Sequence, residues 1–145
     1  MNARQGAPHR YRAIRDCAQY ATEALPGTFE VTKEGILRHP DVVVITWTDL
    51  NVEGSIDPRS VIAAIEIVSR SNPDNDWVGK VRDYPLMGIP VYAVFDPRTG
   101  TGAVFTDIHS TPDGPRYAVR KDFVYGEDVT IGDWTIPTRG LPRYA

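Results

Sequence analysis

Apolar residues Tyr11, Ile14, Ala18, Ala21 and Leu25 recur at alternating spacings of three and four. That rhythm predicts an amphipathic helix over residues 8–25. Pro8 suits its first turn, and Pro26-Gly27 suits its stop. Residues 28–33 alternate in polarity and predict a strand, followed by a turn at Lys33-Glu34-Gly35. The run Val42-Val43-Val44-Ile45-Thr46-Trp47 is rich in β-branched residues and predicts a buried strand. Residues 48–59 are polar and predict a loop. A second apolar run over residues 60–69 is too short to favour a helix and predicts another strand. Asn72-Pro73-Asp74 has the form of a helix start, and Trp77, Val81 and Tyr84 then share a stripe. Pro85 should end or kink that helix, with Gly88 as its stop. Pro90 to Asp96 predicts a strand, Asp96 to Gly100 a turn, and Ala103 to Thr106 a further strand. The tail from 107 to 145 reads as β-hairpins, with a turn at Pro112-Asp113-Gly114 and alternating segments at Tyr117–Arg120 and Val129–Ile131.

This order of elements implies one α/β domain over residues 1–145, with a mixed central sheet flanked by helices. The strand–helix–strand unit between residues 66 and 94 should set two strands parallel with a right-handed crossover. The length of 145 residues is enough to bury a core without disulfides or metal staples. No apolar run approaches the ~18–20 residues needed to span a bilayer. Met1 to Gly6 carries no apolar stretch, so no secretory signal is expected. The single cysteine, Cys17, rules out an intrachain disulfide framework and a cysteine-rich zinc site. A cytoplasmic setting follows. The formal net charge is −3, which argues against an architectural protein that coats nucleic acid. It leaves room for a local, metal-centred site.

Most acidic residues fall in turns or on expected solvated faces. Asp41 and Glu66 do not, because Asp41 opens one apolar strand and Glu66 lies inside another, between Ile65 and Ile67. A carboxylate in such a strand must reach a polar face or find a partner. Two carboxylates on neighbouring strands form a good oxygen pair for Mg²⁺. An arginine partner at a sheet edge would equally satisfy Glu66. Only three of the 16 basic residues are lysines, namely Lys33, Lys80 and Lys121. Lys80 stands four residues after Asp76, on one helix face. That spacing suits a plain surface ion pair. It also sets a cation on the helix that follows the Glu66 strand.

Several spaced elements then carry a resemblance. They are Pro40-Asp41 with its apolar strand, Glu66-Ile67-Val68-Ser69, Asp76-Trp77-Val78-Gly79-Lys80, Tyr84, Gly88-Ile89-Pro90-Val91-Tyr92 and Val94-Phe95-Asp96-Pro97. Together they resemble a large bacterial family of putative restriction endonucleases within the PD-(D/E)xK nuclease superfamily. The likeness is close over residues 40–97 and looser over about 8–105. It implies a restriction-endonuclease-like core and a Mg²⁺-dependent endonuclease acting on DNA, with Mn²⁺ as a substitute. Asp41 matches the aspartate of the "PD" element, and Glu66 the acidic residue of "(D/E)xK". Both would bind the metal together with the backbone carbonyl of Ile67. The lysine position of that tripeptide is Val68 here, and Lys80 matches the family's lysine on the following helix. Asp76 matches a recurrent acidic position that would orient Lys80 or a water. The resemblance also implies a homodimer, for which the apolar tail with Trp134 and Ile136 offers an interface. Against the family pattern the N-terminal flank is short, Pro85 interrupts a usually helical stretch and leaves the placement of Lys80 open, and Arg70 replaces a frequent proline.

Other residues carry less. His9 falls near a histidine often seen at the family's first helix, His39 precedes Pro40, and His109 is expected in a loop. These three histidines lack zinc-site spacing. Gly100-Thr101-Gly102 has no helix or GK[ST] after it and is a turn rather than a phosphate loop. Trp47, Trp77 and Trp134 suit a core or an interface. The rival to an enzyme is a catalytically inactive nuclease-fold protein serving as a binding or assembly module.

Overall fold

The computed structural model describes residues 23–26, 31–33, 36–38, 40–45 and 58–145. The strands are β1 (Glu23–Pro26), β2 (Val31–Lys33), β3 (Ile36–Arg38), β4 (Val42–Ile45), β5 (Val61–Ile67), β6 (Tyr92–Asp96), β7 (Thr101–Thr111), β8 (Gly114–Val124), β9 (Asp128–Ile131) and β10 (Trp134–Pro137). Between β5 and β6 a π-helical stretch, Asn75–Gly79, runs directly into helix α1, Lys80–Leu86. Six strands form the main sheet in the order β1-β4-β5-β6-β7-β8. β5 and β6 are parallel, as the strand–helix–strand reading requires, and the other neighbours are antiparallel. The mixed sheet and the C-terminal hairpins thus match the sequence reading.

Two readings need correction. The helix expected over 8–25 does not reach its end, because Glu23–Pro26 is a strand paired with Val42–Ile45. The rest of that segment lies outside the described residues, as do Cys17, Trp47, His9 and His39. The physical reason is non-local. β4 offers a free row of backbone groups, and pairing with it outweighs a local helical rhythm. Pro26 is tolerated there because β1 ends the strand order of the sheet. Secondly, β7 and β8 are far longer than the short alternating segments suggest, with ten register pairs from Thr101↔Val124 to Thr111↔Gly114. His109 therefore sits exposed on a strand rather than in a loop. The helix end expected near Pro85 is found where it was placed. Pro85 is buried one residue before α1 stops at Leu86, and Gly88 at φ +79° turns the chain away.

Residue alternation sorts the core into two faces. Ala63, Ile65 and Ile67 of β5 pack with Val129, Ile131 and Ile136 of the β9–β10 hairpin. Ala64 and Val68 pack with Tyr84 and Met87 of the helical side. Of the two residues suggested for an interface, Ile136 is buried in this chain's own core, and Trp134 packs against that core while staying partly exposed. Glu66 falls between Ala64 and Val68, so its side chain belongs to the helical face. Val43 and Ile45 of β4 also pack on that face, which places Asp41 there by the same alternation.

Candidate active site

β4 and β5 are antiparallel, with Val42 opposite Ile65. One step further along the ladder sets Asp41 beside Glu66. The two carboxylates hold each other's strands in place. The Asp41 backbone N–H donates to Glu66 Oε1 at 2.5 Å, and the Ile67 N–H donates to Asp41 Oδ2 at 2.8 Å. Glu66 is fully buried, whereas Asp41 is half-buried. The pair thus has one protected and one accessible member.

Lys80 enters from the helical side. Its Nζ forms an ion pair with Glu66 Oε2 and donates to Asp76 Oδ1 at 2.9 Å. The spacing-of-four pair therefore exists, but it is buried rather than solvated, with Asp76 and Lys80 only 5% and 7% exposed. Glu66 has a lysine partner, so the arginine partner considered for it is not the one used. The π-helical turn makes room for this arrangement. The Lys80 N–H donates to the Asn75 carbonyl five residues back, and such turns recur at functional sites. Tyr92 on β6 supports the turn, its hydroxyl donating to the Asp76 carbonyl at 2.8 Å.

Two further carboxylates are buried that the polarity pattern assigned to helix surface and turn. Asp83 is held by Arg38 of β3, which also donates to Asn75 Oδ1 at 3.2 Å. Burial pushes Asp83 up, but hydrogen bonds from Arg38 and Arg82 outweigh it and leave the carboxyl below its ordinary range. Asp96 ends β6 and accepts from Trp77 Nε1 at 2.9 Å and from Arg98 at 2.7 Å. Arg38 is invisible to local pattern because its partner is 45 residues away. Asp96 carried a readable signal, since it is an acid closing an apolar strand in the same alternation as Tyr92 and Val94.

Burial sets the electrostatics of the centre. It raises the Asp76 carboxyl to about 7, with the charges of Asp41 and Asp96 adding to the effect. It lowers the Lys80 ammonium to about 8, against the stabilising charge of Asp41. Asp41 is also raised by burial, partly offset by the Ile67 N–H and the Lys80 charge. These shifts fix a pH dependence. Folding favours the protonated Asp76, so its contribution is lost as the pH rises from 3.8 to about 7. Folding disfavours the charged Lys80, so stability returns between about 8 and 10.5. Metal-free protein should therefore have a stability minimum near pH 7–8 from these groups, and Asp76→Asn should flatten the acid-side decline. Urea melts in chelator across this range check it. Superimposable profiles for wild type and Asp76→Asn would contradict the assignment.

A mixed sheet of this order thus carries a helix over one face, and on that face an acid pair meets a lysine. The chain is similar in structure to a putative nuclease belonging to DUF820 from Anabaena variabilis ATCC 29413, with TM-score 0.58 and 17% sequence identity. That likeness covers 85% of this chain and 72% of the other, and it shows the fold. The family model Uma2, described as putative restriction endonuclease, matches residues 10–138. The chain belongs to that family. No curated protein matches it. Among the described residues no helix is long and apolar enough to cross a membrane.

Proposed function

We propose that this protein is a Mg²⁺-dependent endonuclease that hydrolyses phosphodiester bonds of DNA, with Mn²⁺ as a substitute metal. The observation that carries the reading is the meeting of Asp41, Glu66, Asp76 and Lys80 on one face of the sheet. The donor chemistry fits the ion. Among the described residues no three acidic, histidine or cysteine side chains are arranged so as to hold a metal ion together. Mg²⁺ needs none, because it takes one or two carboxylates and fills the rest with water and substrate phosphate. Both Glu66 oxygens are engaged, Oε1 by the Asp41 N–H and Oε2 by the Lys80 ammonium, so a metal on Glu66 would take the place of Lys80 on Oε2 or share it, while the half-buried Asp41 offers the accessible carboxylate.

Asp41, Glu66 and the Ile67 carbonyl would hold the metal, which supplies a polarised phosphoryl oxygen and a more acidic bound water. The clasp of backbone N–H groups fixes the two carboxylates before substrate arrives, so little reorganisation is left for the reaction. Lys80, lowered to about 8, is mostly the charged ammonium at neutral pH and gains the ability to accept a proton from the attacking water only as the pH rises toward 8 and above. In its charged form it faces the negative charge that grows on the phosphoryl group. Asp76 holds the Lys80 amine in place through the 2.9 Å contact. Two copies in a homodimer would set one site against each strand of a duplex.

The test is cleavage of plasmid and single-stranded DNA with Mg²⁺ or Mn²⁺, beside Asp41→Ala. Wild type should cut only with metal, and the variant should lose at least about a hundredfold in rate while keeping its fold. Equal cleavage by both proteins would remove Asp41 from the site.

A further inference from the structure

Beside the acidic centre, on the same face of the sheet, lies a cleft of about 440 Å³. Trp77, Arg120, Asp122 and Glu127 are among the residues that line it. The volume is on the scale of a small-molecule site. We propose that this cleft is a nucleobase subsite, which stacks an amino-bearing base such as cytosine between Trp77 and Arg120 and receives its exocyclic amino group on Asp122 or Glu127. The proposal rests on the reading of the neighbouring centre as one that acts on nucleic acid.

Trp77 is a built platform. It is half-buried, and its ring edge is pinned where Nε1 meets Asp96. Asp96 is itself buried and clamped by Arg98. A ring held by its edge keeps its face in a fixed direction, which lowers the entropy cost of stacking. Arg120 lies over that ring, its guanidinium carbon 5.3 Å from the Trp77 centroid and 5.5 Å from that of Phe105. The only ion pair it makes among the described residues is with Asp122, and both partners are more than half exposed. Such a pair is weak, so Arg120 can lift and close again over a planar guest. Planar bases are held between aromatic rings and arginine in this way.

The charge of the cleft selects what enters. Arg98 and Trp77 satisfy Asp96, but Asp122 and Glu127 keep acceptor capacity beyond the contacts they make with Arg120 and the Val124 N–H. Two carboxylates repel a phosphate group, so the base enters and the backbone stays out. Carboxylates accept from the cytosine amino group, and thymine offers a carbonyl at the same place. The position is also suitable. Trp77 directly follows Asp76, the Lys80 partner, and Asp96 stands two residues beyond Val94, the register neighbour of Glu66.

Titration of the protein with the four free 2′-deoxynucleosides, in chelator, tests this through tryptophan emission. Deoxycytidine should quench saturably and bind at least about fivefold more tightly than thymidine. Arg120→Ala should weaken deoxycytidine binding about tenfold, within the usual worth of one stacking contact. The paired change Asp122→Asn with Glu127→Gln should erase the preference over thymidine. Trp77→Phe should abolish the quenching; because Trp77 also anchors Asp96, the exposed Arg120 supplies the variant that cannot disturb the core. Absence of saturable quenching by any nucleoside, binding unchanged by Arg120→Ala, or thymidine binding as tightly as deoxycytidine would each overturn the subsite. Nucleosides carry no phosphate and the buffer no metal, so this result stands apart from cleavage. A protein that binds deoxycytidine without cutting DNA upholds the subsite and counts against the nuclease reading alone.

Discussion

Lys80→Met should destabilise the folded protein by about 3–5 kcal/mol, the usual cost of stranding a buried charge. The reason lies in what the lysine leaves behind. Glu66 is fully buried and Asp76 nearly so, and the Lys80 ammonium touches both. Methionine keeps the length and apolar stem of the side chain, so the loss reports charge rather than volume. Two further outcomes separate this account from simple misfolding. The loss should shrink as the pH is lowered, because a proton can take the place of the ammonium on the stranded carboxyls. The double variant Glu66→Gln with Lys80→Met should be more stable than the sum of the two single losses predicts, because groups in direct contact are coupled. Urea unfolding of the four proteins gives the cycle. Strict additivity would show that Lys80 and Glu66 do not act on one another.

The same buried lysine shows how far the sequence could be read. Asp41 and Glu66 stood out because a carboxylate inside a β-branched run demands a partner, and the structure brings those two together. Lys80 stood out through its spacing from Asp76 and the scarcity of lysine, and it joins them. Their burial was not legible, since a spacing of four looks the same on a wet face and a dry one. The π-helical turn that directs both inward leaves no compositional mark. Arg38 and Asp83 were missed because each satisfies the other across 45 residues, and no local window contains both. The strand at Glu23–Pro26 was missed for a related reason, its partner Val42–Ile45 being distant along the chain. Local alternation and apolar runs found the interior strands β4, β5 and β6. Elements defined by who pairs with them, rather than by their own pattern, escaped.

Glu66→Gln should abolish metal-dependent cleavage, with a loss of at least about a hundredfold, and should also abolish any stabilisation by Mg²⁺. The substitution keeps the shape of the side chain and leaves its oxygen able to accept the Asp41 N–H. It removes the negative charge and turns an amide N–H₂ toward Lys80 in place of Oε2. A ligand that binds only the folded state stabilises it by about 2.7 kcal/mol at a hundred times its dissociation constant. Wild-type protein should show a shift of this kind with rising Mg²⁺, and Glu66→Gln should not. Reading both signals together distinguishes the two accounts of the chain. An enzyme loses cleavage and metal stabilisation in the same variant. An inactive binding or assembly module shows neither signal in wild type, so the substitution has nothing to remove. Cleavage that survives Glu66→Gln would place the reacting centre elsewhere, and the buried acid–lysine cluster would then be a packing device of the sheet.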